Sequence, residues 1–203
     1  MTTSTPAPST AEVDARAAWS RRVRRVGGFI QLAFAAFWLL RGGLNVGGVS
    51  GALLTAAAVV AVVVVLVYGI RVTAGQGRRP VGVEAKRIER SVNLATIIEL
   101  VASVVLPFVV IAAGHSDWVL PSIAITIGPL LLWLDHIVDI PRFRPVGWAL
   151  TVGPVVLVAT MSGTSLAATT GLAAGTLLLA SAAAGFHDLA VRAAEMRGAT
   201  PPQ

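Results

Sequence analysis

Long apolar stretches, separated by short charged or glycine-rich segments, make up most of the chain. Residues 42–70 and 145–186 contain no Asp, Glu, Lys or Arg, over 29 and 42 residues. A helix crosses the hydrocarbon core of a bilayer with about 20 apolar residues. As one helix the longer stretch would extend about 63 Å, so it predicts two membrane helices joined by a turn at residues 161–165.

Cutting the apolar sequence at charges, prolines and glycine clusters predicts six membrane-spanning helices. The predicted fold class is all-α, a polytopic integral membrane bundle of six transmembrane helices. Because the turns after the first, third and fifth helices are short, the helices are predicted to form three hairpins. Residues 1–20 are predicted as a disordered cytoplasmic tail, 21–192 as the transmembrane domain and 193–203 as a short cytoplasmic tail. The predicted spans cover residues 26–44, 51–70, 94–113, 118–137, 146–161 and 166–186.

The composition is typical of a membrane protein and excludes most soluble enzymes. Charged residues are 13% of the chain and hydrophobic residues 55%, with a mean hydropathy of +0.78, whereas soluble domains carry about 25% charged residues. The chain has no cysteine, which excludes disulfides and thiolate chemistry. The sequence contains no phosphate-binding glycine loop and no nucleophile elbow, so an ATP-driven pump in a single chain is excluded.

The basic residues are concentrated on one side of the predicted helices. Of the 16 Lys and Arg residues, Arg41 alone lies at the outer side, near the end of the first predicted span; the others flank the bundle or connect the hairpins. The positive-inside rule then predicts a multi-pass plasma-membrane protein with both termini in the cytoplasm. The six basic residues from Arg71 to Arg90 indicate contact with anionic lipid, so the net charge of +6 does not point to nucleic acid. A homo-oligomer or a membrane protein partner stays open.

Glu99 is the candidate residue deepest in a predicted span. It lies about five residues into the third span, which places it roughly 8–10 Å deep, too deep for a short carboxylate to reach water easily. A carboxyl group there is protonated, paired with a cation, or beside a water-filled cavity. It would serve a proton or cation relay, or it would be a neutral group bonded to a neighbouring helix. For the second alternative, the bonding partners are Gln31, Asn93 or Thr151.

Two further groups of ionisable residues end the fourth and sixth predicted helices on the cytoplasmic side. Acids at a helix C-terminus oppose the helix dipole, and Arg142 and Arg144 follow the fourth helix to compensate them. One interpretation is ion pairing at the membrane surface. The other is convergence with Glu99 into a cluster that passes protons or binds an ion. No metal-binding spacing supports a metal site, and no cofactor is predicted. The candidate residues are Asp135, His136, Asp139, His187 and Asp188.

Proline and glycine residues interrupt three predicted helices near the middle of the membrane. Proline removes a backbone donor and kinks a helix, and the freed carbonyls can line an ion or substrate path. The same residues are frequent in membrane helices that line no path, so both interpretations are open. Separately, Gly171-x-x-x-Gly175 allows two helices to approach closely. The predicted kink residues are Pro107, Gly128, Pro129, Gly153 and Pro154.

Three hairpins with both termini inside resemble the HdeD-type acid-resistance membrane proteins, and two short motifs add to the resemblance. Glu99, within Ile-Ile-Glu-Leu, is similar to a Glu that this family often carries in its third helix. The end of the fourth helix, from Leu134 to Asp139, resembles the family's hydrophobic-Asp-Gly-hydrophobic ending. The resemblance covers residues 26–190 and implies a role in tolerance of acid or envelope stress.

Three functions are therefore open at the level of the sequence. The favoured one is an integral membrane protein without catalytic activity, related to envelope or acid stress. The alternative is a small secondary transporter or channel for protons or small cations that uses Glu99 and the kinked helices. A second alternative is an intramembrane enzyme with a site of His and carboxylates at the inner face, which needs these groups within hydrogen-bond reach in a cavity.

Overall fold

The structure, a computed structural model, describes residues 10–74 and 83–198. Within these residues it contains six α-helices and no strand. A short 3₁₀ helix, Ser116–Trp118, precedes the fourth α-helix. The α-helices are α1 (Thr10–Val46), α2 (Gly48–Thr73), α3 (Val83–Ala112), α4 (Val119–Val138), α5 (Phe143–Thr160) and α6 (Gly163–Gly198).

Each of these six helices is long and apolar enough to cross a membrane, which confirms the predicted all-α fold with six spans. Three helices are longer than predicted, because their helical conformation continues past the apolar residues. Thus α1 already begins at Thr10, α3 begins at Val83 and α6 continues to Gly198. The added residues are rich in Ala, Glu, Lys and Arg, which are strong helix formers. Residues 10–20 of the predicted tail are consequently helical, whereas residues 1–9 and 199–203 lie outside the described residues.

The central pair of the bundle consists of its first and last helices, α1 and α6, which share the most extensive contact. Around this pair, α2 packs on α1 and α6, and α4 packs between α3 and α5. The predicted pairs α1–α2 and α3–α4 are in contact, but α5 packs mainly on α4 and only slightly on α6. The arrangement as three hairpins is therefore not confirmed, because α6 has its main partner at the other end of the chain.

Glycines explain why α1 and α6 pack so closely. A Cβ atom on Gly171 would lie 2.7 Å from the Cα of Gly42, and one on Gly42 would lie 2.7 Å from the backbone nitrogen of Leu172. Gly175, one turn further along α6, is packed in the same way against Leu39. Small residues allow membrane helices to approach until their backbones touch. The predicted close approach at Gly171 and Gly175 is thus found in the α1–α6 contact.

A second glycine contact joins α4 to α5. A Cβ atom on Gly147 would lie 2.9 Å from the carbonyl oxygen of Gly128, and Gly128 in turn packs against Thr151. The Gly-Pro sequence of α4 therefore contributes close packing through its glycine. Three predicted kink residues, Pro107, Pro129 and Pro154, all lie inside continuous helices. By contrast, the space around the Cβ position of Gly153 is open.

The two outermost helices bury little of their apolar surface in the bundle. In the most apolar stretch of α2 only 11% of the residues are buried, and in the corresponding stretch of α3 only 6% are buried. Their apolar side chains face outward, where hydrocarbon can cover them. Large side chains such as Trp38, Phe143 and Phe186 are fully buried inside the bundle. We call the end of the bundle that carries Arg24, Arg142 and Arg192 the basic end; there Trp19 of α1 is buried with Ala85 and Phe143.

Candidate functional site

An ion cluster ties three parts of the chain together at the basic end. The carboxylate of Asp188, on α6, accepts hydrogen bonds from Arg24 of α1 and Arg142 of the α4–α5 connection, each at 2.7 Å. The side chains of the two arginines are only 8% and 17% exposed, while that of Asp188 is 42% exposed. Two guanidinium groups that are largely removed from water therefore share one carboxylate.

Local backbone geometry directs Arg142 towards α6. Helix α4 ends where Asp139 adopts a left-handed conformation with φ of 53°. The chain then turns, and Ile140 and Phe143 are buried on either side of Arg142, which fixes the connection. On α6, a Cβ atom at Gly185 would lie 2.6 Å from Nη2 of Arg142. Gly185 thus leaves the space in which the guanidinium lies against the helix backbone.

A cavity of about 600 Å³ opens beside this cluster. Arg24, Arg142 and Arg192 line it, together with the carboxylates of Asp188 and Glu195. His187 contributes its imidazole, and the apolar part of the wall comes from the α4–α5 connection and α6. Three guanidinium groups face two carboxylates among these lining residues, so the cavity carries a positive charge and favours an anion over a cation.

The electrostatics of Arg142 indicate that its charge is incompletely compensated. Burial, and secondly the like charge of Arg24, lower the pKa of Arg142 to about 10, although the carboxylate of Asp188 opposes this shift. Arg142 is therefore still a cation at neutral pH, but its surroundings disfavour the charged form. A second anion next to this guanidinium would stabilise the folded protein.

The acids at the end of α4 have a separate partner. Asp135 is buried, and its Oδ2 accepts a hydrogen bond from Nε of Arg144 at 3.0 Å, while Nη2 of the same guanidinium lies 3.0 Å from that oxygen. Of the two arginines predicted to compensate this helix end, Arg144 does so and Arg142 instead pairs with Asp188. His136 and Asp139 are exposed. In the part of the chain that the structure describes, no group of three His, Cys, Asp or Glu residues has a metal-binding arrangement.

Glu99 lies far from the basic end. It occupies the middle of the candidate span Ala85–Ala112, about 20 Å along the helix axis from either end, because α3 begins earlier than predicted. Its Oε1 lies 2.8 Å from Oγ of Ser103, and that hydroxyl lies 2.6 Å from Oγ1 of Thr126 on α4. The hydroxyl that Glu99 contacts is therefore not one of the three partners that the sequence suggested.

Of the three partners considered for Glu99, Gln31 and Thr151 are engaged elsewhere, and Asn93 is exposed. Gln31 accepts a hydrogen bond from Ser181 of α6, and Thr151 donates to the carbonyl oxygen of Gly147 in its own helix. The sequence analysis did not identify Ser103 as a partner of Glu99. The spacing of four residues, which puts both side chains on one helix face, is the signal that could have identified it. Arg24 was likewise missed, because nothing in the sequence distinguishes it from the arginines beside it.

The structure thus assigns the candidate residues to three places. Glu99 is bonded within the α3–α4 contact, Asp135 pairs with Arg144, and His187 and Asp188 line the cavity. Comparisons with protein-family models, with curated proteins and with solved structures find no match to this chain. The resemblance to the HdeD-type proteins therefore stays a hypothesis, and a functional proposal depends on the geometry alone.

Proposed function

We propose that this chain is a multi-pass plasma-membrane protein, with both termini in the cytoplasm, that binds a phosphate-bearing ligand at its basic end. The observation that carries the proposal is the sharing of one carboxylate, Asp188, by two buried arginines beside a positively charged cavity. Guanidinium groups bind phosphate with two parallel hydrogen bonds, which makes arginine the usual residue for this ligand. A bound phosphate would supply the second anion that Arg142 lacks.

The headgroup of an anionic lipid is the ligand that this position favours. The cavity is formed where the membrane-spanning parts of α1 and α6 end, at the depth of phospholipid headgroups. Exposed basic side chains at the same end of α2 and α3 would bring anionic lipid to this surface, each adding about 1 kcal/mol of attraction. These side chains are Arg71, Lys86, Arg87 and Arg90.

The proposal is tested by the thermal stability of the purified protein in nanodiscs. We expect a higher midpoint in phosphatidylglycerol than in phosphatidylcholine, because a ligand that binds only the folded state stabilises it. For a chain of this size 1 kcal/mol corresponds to about 2–4 °C, so the difference should be several degrees. Arg142→Gln should reduce this lipid-dependent difference to the part that the exposed basic side chains provide, whatever its effect on the midpoint itself.

A matched control variant is Arg41→Gln, which removes an exposed arginine outside the basic end and should keep the difference between the two lipids. Inorganic phosphate added to the phosphatidylcholine nanodiscs distinguishes a soluble phosphate from a lipid headgroup. Stabilisation by inorganic phosphate that depends on Arg142 would assign the site to a soluble ligand. An equal lipid effect in wild type and Arg142→Gln would contradict the proposal.

Transport of protons is a second candidate function, favoured by the carboxyl group of Glu99 in the middle of the membrane. The positive charge of the cavity at the basic end would repel cations, so this candidate depends on Glu99 alone. Proton flux into liposomes is the deciding measurement. Flux that Glu99→Gln abolishes would support transport, and equal flux for wild type, Glu99→Gln and protein-free liposomes would remove it.

A further inference from the structure

Four oxygen atoms form a continuous series across the α3–α4 contact, beside the middle of the apolar span Ala85–Ala112. Oε1 of Glu99 lies 2.8 Å from Oγ of Ser103, which lies 2.6 Å from Oγ1 of Thr126. Oγ1 of Thr126 in turn lies 2.7 Å from the carbonyl oxygen of Ile123 in its own helix. All three separations are hydrogen-bond distances between oxygen atoms, and each needs one proton.

The protons available to this series can be counted. The hydroxyl groups of Ser103 and Thr126 bring one proton each, and the carbonyl oxygen of Ile123 can only accept. With an ionised Glu99, Ser103 donates to the carboxylate, and Thr126 would have to donate to Ser103 and to Ile123 with a single proton. One of the three contacts would then place lone pairs against each other.

A protonated Glu99 satisfies every contact in the series. The carboxyl group then donates to Ser103, Ser103 donates to Thr126, and Thr126 donates to the carbonyl oxygen of Ile123. Three protons serve three contacts, and the direction of donation is the same throughout. The geometry therefore fits the neutral carboxylic acid and leaves the carboxylate with one hydrogen bond too few.

The charges around the series also favour a neutral carboxyl group. Among the described residues Glu99 forms no ion pair, and Ile98 and Leu100 beside it are exposed to the surroundings of the bundle. An ionised side chain without a partner at this depth is costly. On α4, Asp135 lies about 13 Å along the helix axis from Thr126. The charged or titratable residues of the elements packed on α3 lie near helix ends: Arg21, Arg22, Arg24, Arg25 and Arg41 on α1, Asp135 and His136 on α4, and His115 and Asp117 before α4.

We infer that Glu99, Ser103 and Thr126 form a proton-binding site in the middle of the membrane, in which the ligand is a single proton held by the Glu99 carboxyl group. The bound proton completes the hydrogen bonds between α3 and α4. Among the six spans, that of α3 has the smallest buried fraction. Loss of this proton would therefore weaken the contact with α4, which is the main contact of α3 in the bundle. The inference is independent of ligand binding at the basic end.

Infrared spectroscopy of the full chain in liposomes at neutral pH tests the inference. The difference spectrum between wild type and Glu99→Gln should show the loss of a carbonyl stretching band of a carboxylic acid. Ser103→Ala should keep this band but shift it to higher frequency, because the carboxyl group loses the hydroxyl that accepts its proton. Asp139→Asn, which changes an exposed acid directly after α4, should leave the carboxylic acid band unchanged.

Loss of a carboxylate band, with no carboxylic acid band, in Glu99→Gln would overturn the inference. The amide of Gln can donate to Ser103 as the acid does, so this variant should fold with the melting temperature of wild type. Should Glu99→Gln fail to fold, the comparison of wild type with Ser103→Ala decides the question. A shifted acid band supports the site, and spectra without an acid band in either protein refute it.

Discussion

At the scale of single residues, Asp188 is the carboxylate on which the charges of the basic end depend. Its carboxylate contacts two guanidinium groups from other parts of the chain, and both arginines are largely buried. Removing the anionic partner of a buried cation is costly, because it leaves the charge in a place of low water access. The stability of the basic end should therefore depend on this one carboxylate much more than on the exposed acids nearby.

We expect Asp188→Asn to lower the free energy of unfolding by about 1.5–3 kcal/mol, the usual value of hydrogen bonds to charged groups. The amide of Asn has the same shape as the carboxylate but no negative charge, so both arginines lose their anionic partner at position 188 while the packing stays unchanged. The melting temperature of the detergent-solubilised protein measures the effect. The control Asp139→Asn changes an exposed acid at the same end, and its free energy of unfolding should lie within about 0.5 kcal/mol of wild type. Equal losses of stability for the two variants would contradict the role of Asp188.

A second prediction at this scale concerns the substitution of Glu99 by a cation. Glu99→Lys places an ammonium group at the middle of a membrane span, where insertion of a lysine costs about 2.5–3.5 kcal/mol. We expect much less membrane-inserted protein than for Glu99→Gln, measured by the amount recovered in the membrane fraction. The control is Glu89→Lys, nearer to the start of α3, where a long basic side chain reaches the interface. Equal recovery of all three variants would contradict the mid-membrane position of Glu99.

At the scale of helices, small residues decide which pairs come into contact. Between α1 and α6, Gly42 and Gly171 bring the two backbones into contact. The same principle joins α4 to α5 through Gly128 and Gly147. Without a hydrophobic force between helices in lipid, shape complementarity of this kind provides much of the association energy.

Gly171→Leu should therefore disrupt the packing of α1 against α6. Overpacking in a well-packed core costs about 1–3 kcal/mol, and at Gly171 the obstructing atoms belong to the backbone of α1. Size-exclusion chromatography after a heating series should show loss of the folded species at a lower temperature. Gly153→Leu is the matched control, because no atom lies within 4 Å of its Cβ position, and it should elute like wild type throughout the series.

At the scale of the whole molecule, the helix directions bring nearly all basic residues to one end of the bundle. We expect reporter fusions after Gln203 and between residues 75 and 82 to be cytoplasmic, and a fusion at Ser116 to be external. An even number of spans places both termini on the same side. An external signal from the Gln203 fusion would contradict the six-span topology, and the reverse pattern at all three sites would contradict the orientation alone.

Local sequence determined the number of spans and the distribution of charge. Whether a segment of about 20 residues enters a bilayer depends on its own apolar content, so all six helices could be predicted without knowledge of their partners. The position of Glu99 within α3 was predicted less well, because the helix continues through charged residues before its apolar part. The sequence also contains the pattern of Gly171 and Gly175 on α6, but it does not show which helix this pattern contacts.

Only the tertiary structure decided which side chains meet. In a helix that is apolar on every face, the sequence period does not show which face packs inward, so the partners of Glu99 and Asp188 could not be derived from spacing. Arg142 follows Asp139 by three residues, yet it pairs with Asp188 because the buried Ile140 and Phe143 turn it towards α6. The partner of a charged residue depends on the rotation and neighbours of each helix, and these follow from the fit of glycines and bulky side chains across the whole bundle.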